Sequence, residues 1–352
     1  MNVQIEKCFK TFHDRIKISD LDRKEQSNMV LREKRDLLLE DLKLYFRKKN
    51  VTRKSDEHLN FDYFNQGSYG MYTGIKPIDG DFDIDVAIVL NIDKTDYPNP
   101  TTVKKWIFEA LNAKNNRTVL WKKPCITVQY TKAGEEKYHV DFAIYAGANQ
   151  DGHCYLARGK ETSIPKEKRW EESYPKALKE KINEKFINDE ERHQFKRIIK
   201  YLKRWKDEKF KQENSGTGKP TGIALTALAF NHFSPHVRDF FTNETKINDL
   251  TALTKTVESI NISSIWSEIN IQLPVPPYNN LFKDMTSIQM EKFKEKLSKL
   301  KLNLEEAQKN VDPHEASKLI QQVLGNDFPI IDKEDVSKKS PKPSITHSGE
   351  SA

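Results

Sequence analysis

The segment 82–90 constrains the fold most strongly, because apolar residues alternate along it with a period of two. One face of the predicted strand carries Phe82, Ile84, Val86, Ile88 and Leu90. The other face carries Asp83 and Asp85, followed by Ala87 and Val89. Carboxylates two residues apart on a strand project from the same face, so both can reach one cation. Alone, the pair is equally typical of the solvent side of an edge strand.

A third carboxylate, Asp141, lies in a second alternating segment, 139–145. Val140, Phe142 and Ile144 alternate with it and are expected to face the core. On a neighbouring strand, Asp141 would join Asp83 and Asp85 as a set of hard oxygen ligands. Such a set suits Mg²⁺, or Mn²⁺. Two ions held in this way would stabilise the attacking and leaving oxygens of a displacement at phosphorus. The three aspartates are therefore predicted to be catalytic residues and metal ligands.

The dipeptide Gly67-Ser68 follows a strand predicted over 61–64 and opens a short turn or helix. Glycine allows the backbone to approach a phosphate closely, and the following amides and the Ser68 hydroxyl can donate hydrogen bonds to its oxygens. Most Gly-Ser pairs are surface turns, but this one shortly precedes the strand with two acids. We predict that Gly67 and Ser68 bind nucleotide phosphates. Gln66 lines the same pocket or only caps the turn.

The order of predicted elements indicates an α+β fold. Amphipathic helices at 5–16 and 27–47 precede strands at 61–64, 82–90, 125–131 and 137–145, with a helix at 102–113 and a hairpin turn at 133–134. The chain beyond residue 164 is predicted to be almost wholly helical, with helices at 190–210 and 221–233, one capped by Thr286, and a last one between Asp312-Pro313 and Gly325. We divide the chain into a catalytic core with N-terminal helices (1–163), a helical domain (164–332) and a disordered tail (333–352).

Composition excludes several classes of protein. The 352 residues contain 36% hydrophobic residues and no apolar stretch long enough to span a bilayer, and the N-terminal residues, which lack an apolar segment, are expected to carry no secretion signal. Cys8, Cys125 and Cys154 lie far apart, which favours a reduced, cytoplasmic protein. The net charge of +7 is compatible with nucleic acid or a phosphate-rich ligand, but Lys and Glu alternate, as on a solvated surface. His139 is interpreted as a strand-end histidine without a catalytic role.

The segments Gln66-Gly-Ser-Tyr, Asp79-Gly-Asp-Phe-Asp-Ile-Asp-Val and His139-Val-Asp-Phe together resemble the DNA polymerase β-type nucleotidyltransferase superfamily. The phrase Gly67-Ser-Tyr-Gly-Met-Tyr-Thr-Gly-Ile-Lys-Pro is typical of its bacterial cyclic-dinucleotide synthase branch, the CD-NTases, related to cyclic GMP-AMP synthase and oligoadenylate synthase. The resemblance runs to about residue 330. It implies a polymerase β-like core with a mixed sheet packed on an all-helical C-terminal domain, and an active site in the cleft between them.

The resemblance also implies further nucleotide-binding residues. Lys200 stands where the family has a lysine that grips the triphosphate, and Thr221 where a Ser or Thr contacts the phosphates again. The family usually has a base-stacking aromatic residue next, but here the residue is Gly222. Tyr69, Tyr72 or another ring would then have to stack on the base. The structural alternative for Lys200 is a solvated lysine on a basic helix.

The activity implied is conversion of NTPs into a cyclic di- or trinucleotide second messenger, with two Mg²⁺ or Mn²⁺ ions and release of pyrophosphate. The substrates would be ATP, GTP or pyrimidine NTPs, with neither a membrane nor nucleic acid required. Bacterial anti-phage (CBASS) signalling through a cyclic-nucleotide effector is the implied setting, and a ubiquitin-transfer-like enzyme could act on the C-terminal Ala352. Two alternatives stay open: a template-independent RNA nucleotidyltransferase, and a non-catalytic binding module of the same fold.

Overall fold

The computed structural model of the chain describes residues 3–18, 26–49, 59–114, 117–130, 137–211, 218–238, 242, 244, 246–263 and 269–333. The predicted hairpin turn at 133–134 and nearly all of the predicted tail, including Ala352, lie outside these ranges. Within them, no helix is both long and apolar enough to cross a membrane.

The strands form one mixed sheet. In chain order they are β1 (Phe61–Asn65), β2 (Asp81–Leu90), β3 (Thr118–Trp121), β4 (Ile126–Tyr130), β5 (Lys137–Ala146), β6 (Tyr155–Arg158) and β7 (Arg169–Glu172). The order across the sheet is β1-β2-β5-β4-β3, and β6 pairs with both β5 and β7. Only the pair of β2 and β5 is parallel among these strands.

The helices precede, interrupt and follow the sheet. They are α1 (Val3–Ile16), α2 (Gln26–Lys49), α3 (Gly67–Gly70), α4 (Thr101–Asn112), α5 (Pro175–Asn183), α6 (Asp189–Lys209), α7 (Gly222–His232), α8 (Asp249–Ser263), α9 (Ser287–Lys309) and α10 (Pro313–Leu324). The predicted caps are present. Thr286 forms a capping box with Gln289, Asp312 accepts from the His314 amide, and Gly325 ends α10 with φ +89°.

The apolar face of β2 lies in a core shared by the sheet, α2 and α4. Phe82, Ile84 and Leu90 of this face are at most 5% exposed. Leu38 and Leu42 of α2 and Ile107 of α4 pack into the same core. The predicted alternation along β2 is therefore confirmed, and the face that carries Asp83 and Asp85 points away from this core.

The helices after the sheet, α5 to α10, form a helical body around a second core. Helix α1 packs into this core instead of on the sheet. Phe9 and Phe12 of α1 are fully buried, and both rings contact Phe328. Trp205 of α6 and Phe293 of α9 belong to the same cluster. An amphipathic stripe predicts that a helix is buried, but it does not specify the partner.

Two features differ from the sequence-based division at residue 163. Strand β7 belongs to the sheet although it follows that boundary, so the chain beyond 164 is not wholly helical. Helix α1 belongs to the core of the helical body although it precedes the boundary. The boundary itself stays a prediction. Strands of four residues, such as β6 and β7, are too short to show a clear period.

Candidate active site

The parallel pairing of β2 and β5 brings the three predicted aspartates onto one face of the sheet. Asp85 is directly opposite Asp141 in the register, and Asp83 is opposite His139. Neighbouring strands are about 4.8 Å apart, so the Asp85 and Asp141 side chains leave the sheet side by side. The Oδ1 atom of Asp141 is buried and has no hydrogen-bond partner among the described residues. An orphaned buried carboxylate oxygen indicates a missing cation or proton donor.

The electrostatics of this face oppose ionisation of Asp83 and Asp85. Burial, with the nearby charges of Asp83 and Asp141, raises the pKa of Asp85 to about 7. The pKa of Asp83 is also raised, first by loss of bulk water and then by Asp141, while His139 and Lys203 act in the opposite direction. The Asp83 side chain is nevertheless exposed to solvent, whereas that of Asp85 is partly buried. A bound cation would stabilise the ionised forms.

The backbone at Gly67 lies directly against the Asp85 side chain. A Cβ atom at Gly67 would be 2.0 Å from Asp85 Oδ2, and the residue has a φ of +59°. The Gln66 amide donates to the Asp85 carbonyl oxygen at 2.9 Å, which fixes the start of α3 beside β2. Only glycine meets both requirements without strain. The predicted phosphate-binding dipeptide and the predicted metal ligands therefore share one surface.

The metal ions implied by the resemblance can be judged from the donor atoms of these residues. No group of three His, Cys, Asp or Glu side chains in the described ranges is arranged closely enough to enclose an ion. The donor chemistry nevertheless fits, because all three side chains are carboxylates, as Mg²⁺ and Mn²⁺ prefer. The orphaned Asp141 oxygen and the raised pKa of Asp85 also fit a site that requires positive charge. The residues are suited to the ions, but the carboxylates do not by themselves form a closed cage.

Ser68 is connected to the helical body through Thr73 and Lys203. The Thr73 amide donates to the Ser68 carbonyl oxygen at 2.9 Å. The Lys203 ammonium, on α6, donates to the Thr73 carbonyl and hydroxyl oxygens at 2.9 and 3.0 Å. Lys203 also lowers the pKa of both Asp83 and Asp85, although other influences outweigh it. This buried lysine thus belongs to the wall of the cleft that carries the acids.

Lys200 lies on the same face of α6 as Lys203, but its ammonium points toward α1. Its ammonium is 3.3 Å from Nε2 of His13. Burial and the neighbouring charges of Lys17, Lys196 and Arg197 lower the pKa of Lys200 to about 7. Burial likewise lowers the pKa of His13 to about 3, so the ring is neutral and can accept a hydrogen bond from the Lys200 ammonium. Several cations close to one another favour a polyanionic ligand.

Thr221 and Gly222 lie at the start of α7, and Gln66 directly precedes α3. The Thr221 hydroxyl accepts from the Ala224 amide at 3.2 Å, which makes it the N-cap of α7. Gly222 lies near Lys203, whose Cε would be 3.5 Å from a Cβ atom there. Gln66 accepts from the Tyr145 hydroxyl at 3.0 Å and lines a cavity of about 260 Å³.

The cavity supplies surfaces that could replace the missing stacking residue. Tyr174 and Ile223 line it together with Gly67, Pro276 and Pro277. Tyr69, one of the rings considered from the sequence, is wrong for this role. It is 5% exposed, and its hydroxyl accepts from Arg32 Nε at 2.7 Å. Tyr72 is 42% exposed and lies beneath the Lys196 ammonium.

Two lysines near the acids were not predicted from the sequence: Lys203, and Lys122, whose ammonium is 3.6 Å from Asp141 Oδ2. His139, interpreted from the sequence as a strand-end histidine, is also close to the acids. His139 lies on the face that carries the acids, beside Asp83, and its Nδ1 is 3.1 Å from Asp81 Oδ1. The period of two that placed Asp141 on this face also places His139 there. Lys203 follows Lys196 and Lys200 at helical spacing, which predicts one common face. Lys122 carried no sequence signal, because it lies in a turn.

Three comparisons show which known proteins this chain is similar to. Residues 61–145 match the family described as "Cyclic GMP-AMP synthase DncV-like, nucleotidyltransferase domain". A "Cyclic GMP-AMP synthase" of Escherichia albertii is 26% identical over 181 residues, which are 50% of this chain and 38% of that protein. The chain thus aligns with well under half the length of that relative.

Solved structures extend the likeness to nearly the whole fold. The cyclic AMP-GMP synthase DncV of Vibrio cholerae superposes with a TM-score of 0.64 at 16% identity, covering 91% of this chain and 97% of that one. The same Vibrio protein has been solved with the linear intermediate 5′ pppA(3′,5′)pG. DncV of Escherichia coli gives a TM-score of 0.60 at 17% identity, covering 89% of this chain and 93% of that one. These matches confirm the predicted fold class.

Proposed function

We propose that this chain, which belongs to the DncV-like branch of the CD-NTase nucleotidyltransferases, joins NTPs into a cyclic di- or trinucleotide and releases pyrophosphate. The observation that carries the proposal is the alignment of Asp85 with Asp141 across β2 and β5, with one Asp141 oxygen buried and unpartnered among the described residues. Gly67 packs against the Asp85 carboxylate. The turn proposed to bind phosphate and the acids proposed to bind metal therefore share one face of the sheet, which supports nucleotidyl transfer.

In this mechanism, each part of the cleft has a separate task. Ser68 and Thr221 contact the phosphates of the donor nucleotide, and Gln66 and Gly67 shape the pocket around them. Lys200 and Lys203 neutralise the β- and γ-phosphates, which become more negative as the bond to the α-phosphate breaks. Two Mg²⁺ or Mn²⁺ ions, held by Asp83, Asp85 and Asp141, would supply Lewis-acid stabilisation of the attacking and leaving oxygens.

Asp141 also acts as the base in this proposal. The Asp141 carboxylate accepts the proton of an acceptor ribose hydroxyl, whose oxygen then bonds to the α-phosphorus as pyrophosphate leaves. The same step, repeated on the linear product, closes the ring. The Vibrio relative solved with a linear pppA(3′,5′)pG intermediate supports such a two-step sequence.

The direct test is incubation of the purified chain with the four NTPs and Mg²⁺ or Mn²⁺, followed by phosphatase treatment and mass spectrometry. A phosphatase-resistant cyclic product is expected, and Asp85→Asn and Asp141→Asn should each abolish it. A product that grows only on added RNA would instead favour the terminal-transferase alternative. Full biological function of Asp85→Asn would favour a non-catalytic binding module. Omitting the metal, with EDTA present, tests the metal requirement.

The wider setting is also a proposal, and it rests on the family resemblance. We place the protein in the cytoplasm, where its product would activate a cyclic-nucleotide effector in anti-phage (CBASS) signalling. A ubiquitin-transfer-like enzyme would join Ala352, which lies outside the described residues, to target proteins. Phage plating on cells with the wild-type protein or the Asp85→Asn variant tests the first idea. Mass spectrometry of C-terminal conjugates, with and without deletion of Ala352, tests the second.

A further inference from the structure

The turn between β3 and β4 holds a lysine beside the third aspartate. The Lys122 ammonium is 3.6 Å from Asp141 Oδ2, while the other oxygen of that carboxylate is buried without a partner among the described residues. The Asp141 side chain is 19% exposed, and that of Lys122 is 43% exposed. Lys122 also lowers the pKa of Asp85 on the neighbouring strand, although burial outweighs it. Its positive charge therefore acts on two of the three carboxylates.

The position of Lys122 is set by a second lysine, Lys104, inside the sheet core. Lys104 extends from α4, is fully buried, and donates to the carbonyl oxygens of Lys122, Lys123 and Gly159 at 2.7, 2.9 and 2.9 Å. An ammonium has three donors, so this set of carbonyls satisfies it fully. The Lys122 amide donates in turn to the Cys125 carbonyl at 3.0 Å. These hydrogen bonds fix the backbone of the turn. The Lys122 side chain therefore extends from a defined backbone position.

We propose that Lys122 is a positioning residue. When no metal is bound, its ammonium supplies the positive charge beside Asp141 that a divalent cation would otherwise supply. It offsets the repulsion between Asp85 and Asp141, and it must move aside when an ion engages Asp141. Lys122 and the metal therefore compete, and this competition weakens metal binding to the nucleotide-free protein. The inference rests on the proposed function only in taking Asp141 as a metal ligand.

The chain offers a matched control for this idea. Lys123 is the next residue in the same turn, but its ammonium pairs with Glu167 and not with the acids. Replacing either lysine removes one positive charge from nearly the same place on the surface. Only the loss of Lys122 should relieve competition at Asp141, because the Lys122 ammonium is 3.6 Å from that carboxylate whereas the Lys123 ammonium is paired with Glu167.

The experiment is titration of the nucleotide-free protein with Mn²⁺, with free Mn²⁺ measured by electron paramagnetic resonance. Lys122→Gln should tighten Mn²⁺ binding about fivefold, the size expected for a partly exposed charge pair. Lys123→Gln and Lys122→Arg should leave it near the wild-type value. In an Asp141→Asn background, Lys122→Gln should have no effect. Lys104→Met, if it folds, should shift Mn²⁺ affinity in the same direction as Lys122→Gln.

Several results would overturn the proposal. Unchanged or weaker Mn²⁺ binding by Lys122→Gln would do so, as would an equal effect of Lys123→Gln. No Mn²⁺ binding by either the wild-type or the Lys122→Gln protein would also exclude competition. If Lys122→Gln raised KM for NTPs with unchanged Mn²⁺ affinity, Lys122 would contact substrate instead. Because the titration requires no turnover, it measures competition at Asp141 even if the chain makes no cyclic product.

Discussion

Replacement of Gly67 by alanine should damage the active site by a defined route. The added Cβ atom would be 2.0 Å from Asp85 Oδ2, 2.7 Å from its Cγ and 3.0 Å from its Cβ. Contacts below 3.0 Å are essentially never seen for real Cβ atoms, so the carboxylate must move by about 1 Å. Overpacking of this kind costs about 1–3 kcal/mol. The φ of +59° adds about 1–2 kcal/mol for a residue with a side chain.

Gly80 provides the control that separates these two costs. Its φ is +70°, and a Cβ atom there would meet nothing within 4 Å. Gly80→Ala should therefore carry only the backbone cost, about 1–2 kcal/mol. Urea unfolding followed by circular dichroism should show that Gly67→Ala is less stable than Gly80→Ala by about 1–3 kcal/mol.

The two variants should also separate in activity. A misplacement of about 1 Å in a catalytic constellation costs roughly 100-fold in rate, so Gly67→Ala should lose about that much synthesis of product. Gly80→Ala should keep most of its activity, because Gly80 contacts no catalytic group. If the two variants had the same stability and the same rate of NTP consumption, Gly67 would not position Asp85, and the reasoning would fail.

Further predictions concern pH and helix capping. Burial raises the pKa of Glu6 to about 7 from 4.5, so the folded state binds more protons than the unfolded state between these two pH values. The free energy of unfolding should therefore fall by up to about 3 kcal/mol as the pH rises from 4.5 to 7. Urea unfolding at pH 5 and pH 8 should show that Glu6→Gln removes this pH dependence. The pKa of Lys200 is lowered to about 7, so the affinity for a non-hydrolysable NTP analogue should rise as the pH falls from 8 to 6. Calorimetry should find that the affinity of Lys200→Arg, which stays charged, depends less on pH. An equal pH dependence in the two proteins would exclude Lys200 as its source. Thr221→Ala should lower stability by about 1 kcal/mol through loss of the α7 cap, and Thr221→Ser should restore stability in the same assay; an unchanged midpoint for Thr221→Ala would contradict the cap.

The sequence was sufficient to predict the strands that carry the aspartates, because a helix would not place apolar residues at every second position over nine residues. It could not predict that Asp85 lies opposite Asp141, since the register of a parallel pair depends on the packing of everything between the strands. The β7 strand was missed because it has four residues. Lys122 was missed because its role depends on Lys104, whose amphipathic helix gives no sign that its ammonium is buried.

The position of α1 has a consequence for the order in which the parts of the protein fold. Helix α1 packs Phe9 and Phe12 against Phe328, which lies far later in the sequence. The Nε2 atom of His13, on the same helix, is 3.3 Å from the Lys200 ammonium. Contacts this distant in sequence form late, because the whole intervening chain must first be synthesised and brought together. We therefore expect the sheet to fold before α1 docks beside Lys200, so that a folding intermediate would hold the three acids without the complete cation cluster proposed to bind phosphate.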